Sequence, residues 1–253
     1  MSSESDNDHN VPAAKTIADQ TYRHIRRDII SGALPPGTKL AMEMLTKRYA
    51  VGLSPLREAL VKLTGDALAV AEGQRGFWVS QISLDELQDT ISTHLLIETQ
   101  ALSLAIAKGG ADWERAVRQA YEELSSLEAR PKGGDAATFA RWENANRRFH
   151  EALVSACGSK WLLRLRSTLH YHSERYRMIS QAEASTERDA HDEHEAIVEA
   201  VLARKTSRAC RLIELHLQRT ADVVRAALEH RDGAPSKAKK RNVSGQRGGK
   251  SRP

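Results

Sequence analysis

Three histidines and one asparagine in the second half of the chain are residue types that bind metal ions. Asn146 and His150 are four residues apart, so they should share one face of a helix. His194 and His216 lie on later helical segments, flanked by apolar residues that should face a core. Three imidazoles and an amide oxygen that converge inside a bundle would bind a first-row divalent metal. A histidine beside apolar residues is more often a core residue, so these residues alone leave both interpretations open.

His191 competes with His194, because it lies three residues earlier on an adjacent helix face. We favour His194, since Ile197, Val198 and Val201 continue its side of the helix. The segment 191–194 does not match a metalloprotease motif, in which the two histidines are four residues apart and the glutamate directly follows the first. The sequence also lacks a Gly-rich phosphate loop and a Gly-x-Ser-x-Gly motif. We therefore expect a binding protein rather than an enzyme.

Other side chains of this half could bind an anion. His94 and Glu98 are four residues apart on one predicted helix, and His94 could hydrogen-bond a ligand or have a structural role. Arg175, Tyr176 and Arg177 lie on a later helix, where a guanidinium group could bind a carboxylate through two parallel hydrogen bonds. We name His94, Arg175 and Tyr176 as candidate effector-binding residues.

The N-terminal quarter of the chain has residues suited to DNA. Ser54 can cap a helix whose first residue is Pro55, because proline lacks the N–H that the first turn leaves unpaired. Arg57 lies in that first turn, off the apolar stripe of the helix. A short helix with a buried back and a cation near its N-terminus suits the major groove. The candidate DNA contacts are Arg26, Lys47, Arg48, Ser54, Arg57, Lys62, Arg75 and Gly76.

The elements around these residues predict two domains in a mainly α fold. Helices over 16–30, 42–49 and 55–66 precede two strands, 68–71 and 77–80, that flank a Gly-rich tip, which is typical of a winged helix-turn-helix. A capping box at 83–86 opens an all-helical half, predicted as an antiparallel bundle. Its helices are predicted over 84–108, 112–129, 135–157, 160–180, 187–203 and 206–229. We assign a disordered tail (1–14), a DNA-binding domain (15–80), a ligand-binding and dimerisation domain (81–230) and a disordered basic tail (231–253).

The charge of the chain is concentrated at its C-terminus. The formal net charge is +5, but residues 231–253 hold eight lysines and arginines against Asp232 alone, which leaves the rest of the chain slightly acidic. This tail could hold a phosphate backbone without sequence preference, or it could only aid solubility.

No apolar run approaches the ~18 residues of a membrane span. With an acidic, polar N-terminus and two distant cysteines, the sequence indicates a reduced cytoplasmic protein with no membrane partner.

Many residues of the N-terminal segment match the pattern of one protein family at the same spacing. They are Tyr22, Ile25, Arg26, Ile29, Gly32, Leu34, Pro36, Gly37, Leu40, the run 55–60 and Gly76. Through these residues, the segment 16–80 resembles the DNA-binding domain of the GntR family of bacterial transcription regulators. The resemblance implies that Arg57 contacts DNA. Leu53 stands where a second DNA-contacting arginine is usual, and Gly52 replaces a serine or threonine, so the operator should be atypical.

The second half resembles the FCD ligand-binding domain of the FadR subfamily of these regulators, over about 84–229. The order Asn146-x-x-x-His150, His194 and His216 carries this resemblance. It implies a divalent metal of the Zn, Ni or Mn class. Asn146 stands where aspartate is common, and its neutral amide leaves the metal's charge uncompensated. We therefore expect a small carboxylate as an additional ligand, although a water molecule would serve as well.

A finer resemblance concerns the effector. Segments 29–32, 48–52, 55–60 and 105–110 resemble CsiR-like regulators of dicarboxylate catabolism. Together, the resemblances imply a homodimeric repressor that binds operator DNA and responds to a small carboxylate or dicarboxylate. The alternatives are a metal-dependent enzyme that acts on a small carboxylate and a regulator whose metal is purely structural.

Overall fold

The computed structural model describes residues 16–128, 136–180 and 190–233. Its N-terminal domain contains helices α1 (Ile17–Ile30), α2 (Met42–Tyr49) and α3 (Leu53–Gly65) and strands β1 (Ala69–Ala71) and β2 (Phe77–Val79). The strands pair antiparallel, with Ala69 opposite Val79 and Ala71 opposite Phe77, and a 3₁₀ turn closes the tip. This is the predicted winged helix-turn-helix.

One detail of α3 differs from the prediction. The helix begins at Leu53, and extended Gly52 is its N-cap without a side-chain hydrogen bond, so Ser54 does not cap the helix. The predicted first residue, Pro55, is the third residue instead. Proline is tolerated there because the N–H groups of the whole first turn lack acceptors within the helix. The back of α3 is buried as predicted, with Leu56, Leu60 and Leu63 fully inaccessible.

The C-terminal half is an all-helical bundle, and the predicted fold class is confirmed. Its elements are α4 (Leu84–Lys108), α5 (Ala111–Glu128), α6 (Ala136–Val154), α7 (Lys160–Ser180), α8 (Ala190–Leu202) and α9 (Thr206–Gly233). Ser83 caps α4 as predicted, since its hydroxyl accepts a hydrogen bond of 3.0 Å from the Glu86 N–H. A mainly aliphatic core holds these helices together, with Leu102, Val117, Phe149 and Ile213 fully buried.

The ends of the chain fall largely outside the described residues. Helix α9 ends at Gly233, so it extends into the segment predicted as a disordered tail. The predicted tail 1–14 and residues 234–253 of the basic tail lie outside the description. None of the helices within the described ranges combines the length and apolar character needed to cross a membrane.

Candidate metal centre and DNA-binding surface

A cluster of three histidines lies in the middle of the helical bundle. His150 of α6, His194 of α8 and His216 of α9 each offer one ring nitrogen within 4.8 Å of the others. All three are buried, and His194 is completely inaccessible. The helices thus bring together three of the four predicted metal ligands, which lie up to 66 residues apart in the sequence.

The fourth predicted ligand, Asn146, lies one helical turn before His150 and is 4% exposed. Its Oδ1 is buried and finds no hydrogen-bond partner among the described residues, and the same holds for Nε2 of His194. A buried acceptor without a partner costs about 1–3 kcal/mol. A divalent cation would satisfy both atoms, so the donor set fits a metal ion.

Carboxylates orient two of the histidine rings. Nδ1 of His194 lies 2.9 Å from Oε1 of Glu128, and Nδ1 of His216 lies 2.8 Å from Oε2 of Glu193. A carboxylate accepts the Nδ1 proton, which leaves the lone pair on Nε2. Nδ1 of His150 is 4.0 Å from Oε1 of Glu98, so its orientation is held less tightly.

The electrostatic environment favours a neutral His150 ring and an ionised Glu128 carboxylate. Burial, together with the neighbouring rings of His216 and His194, lowers the pKa of His150 well below its usual value. Burial raises the pKa of Glu128, but hydrogen bonds from His194 and Trp142 outweigh burial and lower it overall. A neutral imidazole is the metal-binding form, so His150 can bind a cation at neutral pH.

His194, rather than His191, belongs to the cluster. The side chain of His191 is 33% exposed, and its Nδ1 lies 3.4 Å from Oε2 of Glu128. Sequence reasoning missed Glu128 as a partner of His194, because the two residues are 66 positions apart and nothing local pairs them. It could have found Glu193, which directly precedes His194 in a segment already under consideration.

His94 lies close to the histidine cluster, in a buried polar network. Its Nε2 is 3.2 Å from Oε2 of Glu98, and its Nδ1 is 3.4 Å from the Ser173 hydroxyl. Arg166, which the sequence analysis did not single out, binds Glu98 with an Nε–Oε2 distance of 2.8 Å. Burial would raise the pKa of Glu98, but the Arg166 charge and the His94 contact lower it to about 2.

Arg175 and Tyr176 do not join the histidine cluster. Arg175 donates a hydrogen bond to the Ser80 carbonyl, and the Tyr176 hydroxyl lies 3.1 Å from both the Ser83 carbonyl and Oε2 of Glu86. Both residues therefore contact the linker between the domains, and the effector-binding role of Arg175 and Tyr176 stays a prediction. Arg177 lies about 200° around the helix from Arg175 and forms a buried, two-pronged ion pair with Glu143.

Helix α7 thus has one face toward the bundle interior and another toward the DNA-binding domain. The guanidinium carbon of Arg26 lies 4.2 Å from the ring centroid of Tyr171. Nε2 of His172 lies 2.9 Å from the Asp66 carbonyl oxygen at the end of α3. The structure therefore places Arg26, a predicted DNA contact, at the domain junction, where it also donates a 3.3 Å hydrogen bond to Tyr22.

The first turn of α3 is an exposed part of the predicted DNA-binding surface. Leu53, Ser54 and Arg57 are exposed, and Arg57 has no ion pair within the described part of the chain. The N-terminal residues of a recognition helix are those that reach base edges. Gly76 has a φ of +112°, a conformation that disfavours other residues at the wing.

The remaining predicted DNA contacts form ion pairs with acidic side chains. Their partners are Glu43 for Lys47, Asp28 for Arg48, Asp19 for Lys62 and Glu72 for Arg75. The side chain of Arg75 is 82% exposed, at the tip of the wing. Such exposed pairs are weak, so they leave the cations available to phosphates.

A winged helix-turn-helix joined to a helical bundle with a buried polar site defines the class of DNA-binding transcription regulators. The family model described as bacterial regulatory proteins, gntR family, matches residues 17–79, and that of the FCD domain matches residues 89–219. The chain therefore belongs to the GntR family, with an FCD domain. These families contain transcription regulators and not enzymes.

Known relatives share this organisation over most of their length. The chain is 38% identical to the uncharacterized HTH-type transcriptional regulator BphR of Paraburkholderia xenovorans, over 85% of this chain and 89% of that protein. It is also 38% identical to the HTH-type transcriptional repressor GlaR of Escherichia coli, over 82% and 95% respectively. The solved structure of E. coli McbR/YncC shares the fold, with a TM-score of 0.71, 18% identity and coverage of 84% and 99%.

Proposed function

We propose that this protein is a homodimeric repressor whose affinity for operator DNA is controlled by a small carboxylate or dicarboxylate bound at a metal centre. The observation that carries the proposal is the trihistidine cluster, with unpaired buried acceptors on His194 and Asn146. The repressor role is supported by the name of one relative, the transcriptional repressor GlaR. Operator binding places the protein in the cytoplasm, where the DNA is.

The ligand set supports a metal of the Zn, Ni or Mn class and an anionic effector. His150, His194, His216 and Asn146 would hold the ion, and imidazole suits Zn and Ni well. All four ligands are neutral, so the bound ion would keep its positive charge and would bind and polarise a carboxylate. Glu128 and Glu193 would hold the His194 and His216 rings in place.

Helix α7 is the element that could transmit effector binding to the DNA-binding domain. Ser173 on its inner side contacts His94 near the histidine cluster, whereas Tyr171 and His172 contact the DNA-binding domain. A small rotation or shift of α7 would change both sets of contacts together. Effector binding can alter operator affinity only by as much as the effector prefers one arrangement over the other.

Exposed apolar side chains on α4 and α7 support a dimer through the helical domains. Leu96, Trp161 and Leu165 are 72%, 69% and 47% exposed. Helices α4 and α7 run antiparallel, because His94 contacts Ser173 and Glu98 contacts Arg166. A second copy related by a two-fold axis would bury these side chains and present two recognition helices to a two-fold operator.

The test measures binding of fluorescent DNA from the region upstream of the protein's own gene, by anisotropy, with and without a panel of dicarboxylates. We expect at least one dicarboxylate to weaken operator binding by wild type, and H194A to lose this response while still binding DNA. A normal effector response in H194A would contradict the metal centre as the effector site. A purely structural metal would instead give chelator-induced unfolding without any effector-linked change in DNA binding.

A further inference from the structure

A second group of potential ligands lies next to the trihistidine cluster. Glu143 of α6 and His170 and Glu174 of α7 each offer one ligand atom, and these atoms all lie within 4.8 Å of one another. His170 and Glu174 are four residues apart, so they lie on the same face of α7. The ring centroids of His150 and His170 are 6.1 Å apart, which places this group beside the first cluster without sharing a residue with it.

Two atoms of this group are buried and unsatisfied. Nε2 of His170 and Oε2 of Glu174 have no hydrogen-bond partner anywhere in the described structure. His170 is only 3% exposed, so bulk solvent does not reach its ring nitrogen. Native proteins rarely leave such atoms unpaired, and a bound ion is one recognised reason for an exception.

The charges around this group are incompletely balanced. Arg177 compensates Glu143, with an Nε–Oε2 distance of 3.1 Å and a second hydrogen bond to Oε1. A carboxylate oxygen has more than one acceptor position, so Glu143 can still bind an additional cation. Glu174 makes no direct ion pair among the residues that the structure describes, and the charges of Arg177 and Arg147 only partly offset its burial and the like charge of Glu143.

In the absence of a cation, a proton is the available compensation. Burial, and then the like charge of Glu143, raise the pKa of Glu174 to about 7. Burial and the charge of Arg166 lower the pKa of His170 well below its usual value, so its ring is neutral and keeps a lone pair. A bound cation would pair with both unsatisfied atoms.

We propose that Glu143, His170 and Glu174 form a second cation site, which takes one divalent ion of the Mn²⁺ or Zn²⁺ class. Two carboxylates and one imidazole make a harder ligand set than three imidazoles, so this site should accept Mn²⁺ more readily relative to Zn²⁺ than the first does. The positive charge of Arg177 repels a cation bound at Glu143, so this site should have the lower cation affinity of the two. The inference does not depend on the proposed effector response.

The experiment counts Mn²⁺ ions bound by the full-length protein after removal of metals with a chelator. Free Mn²⁺ is followed by electron paramagnetic resonance during a titration. We expect two ions per protomer in two affinity classes. E174Q should lose the weaker class. Its Mn²⁺ affinity at this site should fall at least ~100-fold, because the loss of a residue that only supports a metal ligand already lowers affinity ~10–100-fold. H194A should lose the tighter class, and E151Q, an exposed glutamate of α6, should bind as wild type does.

The two sites can fail separately in this experiment. One ion per protomer that is lost in H194A and kept in E174Q would overturn the second site and leave the trihistidine centre intact. Two ions per protomer in E174Q would also overturn it. Loss of one ion in E174Q with no change in H194A would support the second site and contradict the first. Circular dichroism checks the fold of each variant, and H170N replaces E174Q if that variant is unfolded.

Discussion

Glu128 should control the metal affinity of the trihistidine cluster, although it would not touch the metal. Its Oε1 lies 2.9 Å from Nδ1 of His194 and 3.1 Å from Nε1 of Trp142. The substitution E128Q keeps the size of the side chain and an acceptor oxygen, but removes the charge. The hydrogen bond to His194 then becomes weaker, and the amide can present its NH₂ group to the ring instead.

The size of the effect follows from this one contact. A hydrogen bond to a charged group contributes ~1.5–3 kcal/mol, and about half of that remains when both partners are neutral. Loss of a carboxylate behind a ligating histidine typically lowers metal affinity ~10–100-fold. We expect E128Q to fall in this range, because His194 would lose both its fixed orientation and part of its basicity.

The assay is a competition titration in which Zn²⁺ is shared between the protein and a chromophoric chelator. E122Q is the matched control, since Glu122 is exposed on the same helix, α5. We expect wild-type affinity for E122Q and a similar thermal stability for both metal-free variants. Zn²⁺ affinity of E128Q within twofold of wild type would refute the argument that this carboxylate supports His194.

Four further predictions test other parts of the molecule. R57A should weaken operator binding by ~1–3 kcal/mol if Arg57 reads a base, measured by anisotropy at constant salt, and unchanged affinity would contradict α3 as the reading helix. Y171A should retain metal and operator binding but reduce the effector-induced change in DNA affinity, and an intact response would exclude the Tyr171–Arg26 contact from the coupling. W161E should convert dimer to monomer in light scattering if α7 forms the interface, whereas a persistent dimer would place the interface elsewhere. The pKa of Glu98 is lowered from 4.5 to about 2, so its contribution to stability is complete above pH 4.5 and is lost as the pH falls through 2. In acid denaturation, E98Q should therefore lose less stability than wild type over that interval, and equal losses would contradict the shift.

Local patterns predicted most of the elements, because each helix and strand has a periodic apolar face. The stripe of Leu56, Leu60 and Leu63 predicted α3, and Ser83 with Glu86 predicted the start of α4. The start of α3 was wrong by two residues, since Gly52 and Ser54 are both acceptable N-caps and sequence alone does not choose between them.

Side-chain partners across the bundle were harder to predict. Spacing on α7 did not show that Arg175 and Tyr176 contact the linker whereas Arg177 turns inward, because the packing of the other helices sets the rotation of α7. Glu128 and Arg166 escaped notice for the same reason. Each is an ordinary charged residue in its own segment and acquires its role only from a distant partner.

The sequence by itself determined the class of this protein. Amphipathic periodicity and turn residues are local properties of the chain, and they were enough for a winged helix-turn-helix followed by a helical bundle. The spaced histidines became a candidate metal site only together with the family resemblance. Only the tertiary structure decided which groups meet. It placed His194 rather than His191 beside His150 and His216, put Arg26 against Tyr171, and brought Glu143 to His170 and Glu174. The physical reason is that local sequence sets which face of a helix is apolar, whereas the packing of all the helices sets what that face contacts.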